Sequence, residues 1–226
     1  RNSNNLKNSY MEVVAAYGED KHLVLPDASE VWLNSGTTIR YPKNADAGER
    51  LIYLEGEAYF SVKKDPSRPF VVKTIDRVVV RVVGTEFNVK AYPGELRFVT
   101  TLAKGKVGVY VGADEPVMLD PNDQFIYNRG TSATRIEKIS PEESNAWLTG
   151  GMVFVNASFK EILQALERRF DVCIQYGPAD DIPHFYTVKF IRNESLDEVL
   201  NILSEFIDFT YYELDGKIVI KVEREE

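Results

Sequence analysis

The sequence predicts a mainly β N-terminal domain, a β-sandwich or β-roll, followed by a small α+β domain with a duplicated β-α-β unit. Two observations predict this organisation. Residues 10–139 are short β-like runs separated by turn signals about 8–12 residues apart. In the last third of the chain, two helix-start motifs stand 37 residues apart, and the apolar positions after them coincide.

Turn signals divide the first region into its predicted strands. Along one run, Phe98, Thr100 and Leu102 should share one face, because successive side chains of a strand alternate. No segment of this region has helical periodicity. The breaks are Tyr17-Gly18-Glu19-Asp20, Pro26-Asp27, Asn34-Ser35-Gly36, Pro93-Gly94, Lys104-Gly105-Lys106, Gly112-Ala113-Asp114 and Asp120-Pro121-Asn122-Asp123.

A helix signal interrupts the β pattern at Ser140-Pro141-Glu142-Glu143. Serine at the cap, proline at the first helical position and glutamate three residues after the cap favour a helix start. The predicted helix runs to Trp147 and ends before Gly150-Gly151. We therefore predict an all-β domain over 10–148 and an α+β domain over 149–226. The polar, Asn-rich residues 1–9 are predicted to be a juxtamembrane linker of a longer protein.

The α+β domain contains an internal repeat. Ser158 and Ser195 each begin a capping box, with Glu161 and Glu198 three residues later. Each helix then carries apolar residues at i, i+3, i+4, i+7 and i+11, a stripe that packs on a core. The matched positions are Phe159, Ile162, Leu163, Leu166 and Phe170 in the first copy, and Leu196, Val199, Leu200, Leu203 and Ile207 in the second.

Five predicted strands surround the two helices in the order β-α-β-β-α-β-β. The last two form a hairpin, because Asp215-Gly216 is a preferred two-residue turn. The predicted strands are Met152–Asn156, Val172–Tyr176, Thr187–Ile191, Phe209–Leu214 and Ile218–Val222.

Composition and motifs argue against most catalytic chemistry. The net charge of −8 does not suit a nucleic-acid partner. The two histidines, His22 and His184, lack partners at metal-ligand spacing and are expected on the surface. Cys173 is expected to be a buried small hydrophobe rather than a nucleophile. No metal, no cofactor and no enzymatic activity is predicted.

Acidic pairs do not change this expectation. Glu55 and Glu57 should share a strand face, whereas a glycosidase needs carboxylates on opposite sides of a sugar. A solvated face, or a carboxylate that holds a turn at Glu57, explains them better. The Asn-X-Ser sequons at Asn156 and Asn193 receive no functional weight.

Six segments of the first region stand in a fixed order: Leu25-Pro26-Asp27, Val31–Gly36, Arg40-Tyr41-Pro42, Gly56–Val62, Arg68–Val72 and Val83–Val89. In this order they resemble the periplasmic part of FecR-type anti-sigma regulators, and the resemblance covers nearly the whole chain. The α+β tail resembles, by pattern, the secretin and TonB short N-terminal fold found at the C-terminus of such proteins. One departure is Asp27-Ala28, where the family usually has Asp-Gly, so the turn there is expected to differ in type.

The resemblance implies a candidate site at Gly84-Thr85, because some FecR-type regulators cleave themselves at a Gly-Thr bond in this motif. In such an N-to-O acyl shift, the threonine hydroxyl attacks the preceding carbonyl and forms an ester that water opens. A glycine that ends one strand and a threonine that begins the next is the alternative explanation.

The resemblance also implies partners and a location. The chain would be the periplasmic region of a single-pass inner-membrane protein that receives a signal from a TonB-dependent outer-membrane transducer. The parent would control an extracytoplasmic-function sigma factor through a cytoplasmic segment outside this chain. The alternative is a carbohydrate-binding β-module with an adaptor domain, which exposed aromatic residues on one sheet face would favour. Core packing is preferred for its candidates Trp32, Tyr41, Tyr53 and Tyr59.

Overall fold

The structure, a computed structural model, describes residues 10–43, 48–177, 182 and 184–222. The chain divides into two compact units between Asn145 and Ala146. Each unit has a hydrophobic core of its own. The predicted linker over 1–9 lies outside the described residues. The domain limits predicted from the sequence, 10–148 and 149–226, stay a prediction.

The first unit is a large curled β-sheet, which confirms the predicted fold class. Its central path runs β11-β10-β7-β6-β5-β8-β9-β12-β13, and all neighbours on it are antiparallel except β5 and β6. Off this path, β1 pairs with β4 and β2 with β3, while β3 and β4 both pair with β5. The strands are β1 Tyr10–Ala15, β2 Lys21–Val24, β3 Glu30–Leu33, β4 Thr37–Pro42, β5 Arg50–Ser61, β6 Phe70–Lys73, β7 Val78–Val82, β8 Glu86–Ala91, β9 Arg97–Lys104, β10 Val107–Val111, β11 Val117–Leu119, β12 Asp123–Asn128 and β13 Thr134–Lys138.

The 12-residue strand β5 makes the sheet curl. Its first half pairs with β4 and β6, and its second half pairs with β3 and β8. Gly56 stands where the partners change, at φ +121°, a backbone conformation open to glycine. The two halves of the sheet thereby face each other across one core, where the rings of Phe60 and Phe70 meet at 5.7 Å.

The alternation predicted for β9 is present. Phe98, Thr100 and Leu102 are all fully buried, and Phe98 and Leu102 belong to the core cluster. Thr101, on the other face, is also buried, so part of the outer face of the sheet is covered. A sequence pattern cannot show such cover, because it marks only the side of the strand and not what lies above it.

The junction differs in detail from the single helix predicted to reach Trp147. Helix α1 covers only Pro141–Ser144, and a 3-10 helix follows over Ala146–Thr149. The predicted cap is present, since the Glu143 amide donates to the Ser140 hydroxyl at 3.2 Å. Four residues give an α-helix almost no internal hydrogen bonds, and a short segment of this kind tightens readily into 3-10 geometry.

The second unit has the predicted element order. Strands β14 and β16 form an antiparallel pair, and a second sheet has the order β15-β18-β17 with β15 parallel to β18. The Asp215-Gly216 hairpin is present, with φ of +52° and +72° at its two turn residues. The elements are β14 Met152–Ser158, α2 Phe159–Phe170, β15 Ile174–Gln175, β16 Phe185–Phe190, α3 Leu196–Ser204, β17 Phe209–Leu214 and β18 Lys217–Val222.

Both predicted capping boxes are present. Ser158 and Ser195 each accept a hydrogen bond from the backbone amide three residues later, and Glu161 and Glu198 bond back to the cap amides. Eight of the ten stripe residues are buried, and Phe170 and Leu196 pack partly buried against the same core. Ile207 is buried although it lies beyond the end of α3, where the chain turns back toward β17.

The repeat also explains the two sequons. Asn156 and Asn193 each precede a cap serine by two residues, and both have positive φ, +49° and +55°. Asparagine tolerates this left-handed backbone better than other residues with a side chain. Their recurrence 37 residues apart is therefore part of the duplicated helix entry.

We expect Leu163→Ala and Leu200→Ala each to destabilise the second unit by about 2–5 kcal/mol. Both leucines are fully buried at equivalent stripe positions, so each truncation leaves a cavity in the same core. Chemical denaturation followed by circular dichroism measures both. A silent substitution at one position beside a large effect at the other would contradict the equivalence of the two helices.

Candidate functional site

The Gly84-Thr85 segment connects β7 to β8 and is packed on both sides. A Cβ on Gly84 would lie 2.7 Å from the Lys64 Cα, so no larger residue fits there without a backbone shift. Thr85 is 4% exposed, and its hydroxyl donates a 2.9 Å hydrogen bond to the Lys106 carbonyl. Gly105, at φ +100°, lets the turn after β9 approach Thr85 closely.

The hydrogen bonds of Thr85 bear on its predicted chemistry. Within the described residues, the carbonyl of Lys106 is the one acceptor for its hydroxyl. A backbone carbonyl is a weak base, so this contact orients the hydroxyl but supplies no strong general base. The same contact also has a structural role, because it ties the β7–β8 connection to the β9–β10 turn. Self-cleavage at Gly84-Thr85 stays a prediction.

A buried ion pair lies beside this segment. Arg50 Nη1 contacts Asp27 Oδ2 at 2.7 Å, and the side chains are 7% and 8% exposed. The remaining donors of Arg50 reach three backbone carbonyls, including that of Val83, just before the candidate bond, at 3.3 Å. The other two carbonyls are those of Lys63 at 2.8 Å and Arg68 at 2.7 Å. Arg50 therefore holds together four chain segments at one end of the curled sheet.

Asp27 is held by its own turn. Its carboxylate accepts from the Ser29 amide at 3.0 Å and from the Ser29 hydroxyl at 2.7 Å. Burial alone would raise the pKa of Asp27, but the bonds from Ser29 and the adjacent Arg50 outweigh it and lower that pKa. Ala28 has φ +63°. The turn thus has a left-handed backbone that glycine adopts freely and alanine adopts only under strain.

A second, partly buried Arg–Asp pair lies at the opposite end of the sheet. Arg129 contacts both carboxylate oxygens of Asp76, at 2.7 and 2.8 Å, and donates to the carbonyls of Tyr92 and Glu95. Arg50 is level with the first residue of β6, whereas Asp76 follows its last. The two Arg–Asp pairs therefore join the halves of the sheet at both ends.

Glu57 is a structural carboxylate, as its pattern indicated. Its two oxygens accept 2.9 Å hydrogen bonds from the side-chain amides of Asn34 and Asn88. Glu55 is exposed and pairs with Arg40 at 3.8 Å. The two glutamates thus occupy different environments and have different partners.

The preference for core packing is wrong for three of the four aromatic candidates. Tyr41 is buried in the core, but Tyr53 is exposed, and Trp32 and Tyr59 are half-buried on the outer face of the sheet. Trp32, Tyr53 and Tyr59 lie outward because the residues next to them on their strands, such as Leu33 and Phe60, face the core.

These outward rings do not make a flat platform for a sugar. His22 stacks on Trp32 at 4.5 Å, and Tyr59 meets Trp32 edge-on. Tyr59 is anchored further by its hydroxyl, which donates to Glu86 at 3.2 Å. Burial, then the charge and the hydrogen bond of Glu86, raise the pKa of Tyr59 to about 12.

The remaining candidate residues are solvent-exposed. His22 and His184 are on the surface, as predicted, and His22 contacts Glu30 at 2.9 Å. Cys173 is exposed, so the prediction of a buried cysteine is wrong. The adjacent Ile174, the first residue of β15, is buried, and Cys173 just before it faces outward. Across the described residues, no cluster of His, Cys, Asp or Glu could hold a metal ion.

The second unit presents a different kind of surface. Residues 146–226 contain 15 Asp and Glu against 8 Lys and Arg, a net charge of −7, whereas residues 1–145 contain 20 against 19, a net charge of −1. Among the described residues, β17 pairs only with β18, and β14 and β16 pair only with each other. Unpaired strand edges and exposed helix faces suit protein docking.

The whole architecture is shared with known structures. Two crystal structures of a candidate anti-sigma factor from Parabacteroides distasonis ATCC 8503, at 2.50 and 1.65 Å resolution, superpose with TM-scores of 0.90 and 0.89. Each is 31% identical, and each alignment covers 95% of this chain and 100% of the other. No curated protein matches the chain. The fold is thus that of a candidate anti-sigma factor.

Two family models divide the chain in the same way. The model described as FecR protein matches residues 11–113, and the model described as FecR, C-terminal, matches residues 151–221. The chain belongs to the FecR family of anti-sigma factors. Its members regulate sigma factors, so a sigma factor is the partner that the family indicates. Within the described residues, no helix is long and apolar enough to span a membrane.

Proposed function

We propose that this chain is the periplasmic, signal-receiving region of a single-pass inner-membrane anti-sigma regulator. A TonB-dependent outer-membrane transducer delivers the signal, and the parent protein controls an extracytoplasmic-function sigma factor. The observation that carries the proposal is the membership of the FecR family over both units. The unpaired strand edges and exposed helix faces of the acidic second unit support it, because they suit protein docking. The buried charges of the first unit, those of Arg50, Asp27 and Glu57, also support it, because their partners give them structural roles.

The second unit is proposed as the contact with the transducer. It has its own core, unpaired strand edges, and nearly all of the chain's net charge. The first unit is proposed as a scaffold and partner surface without enzymatic activity other than self-cleavage. Its buried Arg50–Asp27 pair and its Glu57 carboxylate have partners that account for them structurally.

A capture experiment tests this division of labour. The immobilised signalling domain of the proposed partner transducer is expected to retain residues 1–226 and residues 150–226, but not residues 1–148. Circular dichroism of each fragment verifies that it is folded. Retention of 1–148 without 150–226 would contradict the proposal.

Self-cleavage is tested separately at Gly84-Thr85. Thr85→Ala should abolish any cleavage, because no hydroxyl remains to accept the acyl group, and Thr85→Ser should keep part of it. In the reaction, the Thr85 Oγ–C bond forms as the Gly84 C–N bond breaks and leaves the amine on Thr85. Water then opens the ester to a Gly84 carboxylate and restores the hydroxyl.

Intact mass spectrometry of stored protein measures this cleavage. The two pieces should co-elute in size exclusion, because β7 and β8 each remain paired with strands of the other piece: β7 with β10, and β8 with β5. A single species of full mass, without a hydroxylamine-sensitive ester, would leave the segment as an ordinary connection between strands.

A further inference from the structure

The duplicated helices of the second unit match in their buried stripes but differ in charge elsewhere. Asp197 stands at the position of Lys160, and both are exposed. Glu205 is exposed, whereas the equivalent residue of the first copy, Arg168, is buried. Because both copies pack a helix with the same buried stripe on one core, the fold does not require Asp197 and Glu205 to be acidic.

The second copy also exposes apolar side chains that the first copy lacks. Ile202 and Phe206 are 36% and 49% exposed, and the equivalent residues are Ala165 and Arg169. The Phe206 ring lies 6.0 Å from that of Tyr186 on β16. We call Ile202, Phe206 and Tyr186 the apolar ridge. Adjacent large apolar side chains left in solvent, where the equivalent positions carry alanine and arginine, are typical of an interaction surface.

Acidic residues accompany the apolar ridge along the sequence, and we call them the acidic border. Asp197, Glu205 and Asp208 are exposed and lie along α3 and its exit, in the same stretch of chain as Ile202 and Phe206. The segment from Glu194 to Tyr212 contains no Lys or Arg. A partner segment that carries Lys or Arg beside apolar residues would complement both features.

We propose that the apolar ridge and its acidic border bind a basic, apolar-bearing segment of the protein that delivers the signal. This rests on the proposed function, because the partner is the transducer assigned there to the second unit. Apolar contact with Phe206 and Ile202 would provide affinity, and the acidic border would speed association and select a basic partner.

The test is a binding titration of residues 1–226 with the purified signalling domain of the proposed partner transducer, at about 50 and about 500 mM NaCl. Wild-type binding should weaken about tenfold or more at the higher salt concentration. Asp197→Lys with Glu205→Arg, which installs the residues of the first copy, should weaken binding about tenfold at low salt and remove most of the salt dependence. Phe206→Ala should weaken binding at both salt concentrations.

Lys160→Asp is the matched control, since it changes an exposed charge at the equivalent position of α2, and its binding should equal wild type within about twofold. Thermal melts verify that each variant is folded. If wild type binds, and both Phe206→Ala and the double variant at Asp197 and Glu205 bind as tightly as wild type, the apolar ridge and its acidic border are not the docking surface, while the proposed function stands. If folded wild-type protein does not bind the signalling domain, both the proposed function and the role of the ridge are wrong.

Discussion

Arg50→Ala is expected to destabilise the β-sheet unit by about 3–5 kcal/mol, because it leaves the buried Asp27 carboxylate without its cation. Four hydrogen bonds are lost in the same change, and three of them tie backbone carbonyls of separate segments. Asp27→Ala should cost a similar amount, since it leaves the guanidinium unpaired. Chemical denaturation of each variant gives the free energies of unfolding.

The control is an exposed pair of similar geometry. Arg135 and Glu137 meet at 2.6 Å, but both side chains are more than 40% exposed. Arg135→Ala should therefore change stability by less than about 1 kcal/mol. Equal effects at Arg50 and Arg135 would show that burial adds nothing to the Arg50–Asp27 pair.

The same pair makes stability depend on pH in the acid range. The pKa of Asp27 is lowered in the folded protein, so its contribution is complete above the unfolded value of about 4. It is lost as the pH falls from there through the folded pKa. Asp27→Asn should therefore lose less stability below pH 4 than wild type in urea titrations. An unchanged slope in the variant would exclude this linkage.

Local chemistry explains why the second unit could be predicted closely. A capping box needs a serine and a glutamate three residues apart, and the Asp-Gly hairpin turn needs two adjacent residues. Each motif therefore appears in the sequence as it does in the folded chain. Cys173 is the exception: the sequence predicts it to be buried, but its neighbour Ile174 takes the core-facing position, and the sequence does not show which of two adjacent apolar residues faces the core.

Long-range pairing explains what the sequence could not show. Asp27 and Arg50 are 23 residues apart, and Asp76 and Arg129 are 53 apart, so no local pattern links them. The structural roles of the glycines in the first unit could not be predicted either, because a sequence shows where glycine gives the backbone freedom but not which neighbouring segment approaches it closely. Gly84-Thr85 is indicated by family resemblance alone, and its packing against Lys64 and Lys106 is visible only in the fold.

The acidic border of α3 could be predicted only in part from the sequence. Its residues belong to the sequence repeat, but they are not among the apolar positions that match between the two copies, so the matching positions do not predict them. The other positions of the two copies differ in charge, as Lys160 and Asp197 do, and the sequence alone contains that difference. Divergence between repeats is informative for this reason. Positions that are alike in both copies indicate the common fold, and positions that differ indicate a role of one copy alone.

Gly56→Ala is expected to destabilise the β-sheet unit by about 2–6 kcal/mol. Two costs add: strain at φ +121°, about 1–3 kcal/mol, and overpacking against β4, about 1–3 kcal/mol. An added Cβ would lie 2.4 Å from the Thr37 hydroxyl oxygen and 2.7 Å from the Thr37 Cα, so rotating that side chain cannot relieve the clash. Thr37 also bonds to the Glu57 backbone, so a shift there would loosen β4 from β5.

Gly94→Ala separates the two costs. Gly94 also has positive φ, +83°, but an added Cβ there would meet nothing within 4 Å. It should therefore lose only the backbone term, about 1–2 kcal/mol. Denaturant melts of both variants measure the difference. A Gly56→Ala variant no less stable than Gly94→Ala would mean that β5 can pass from one half of the sheet to the other without a close approach to β4, and that another residue sets the curl.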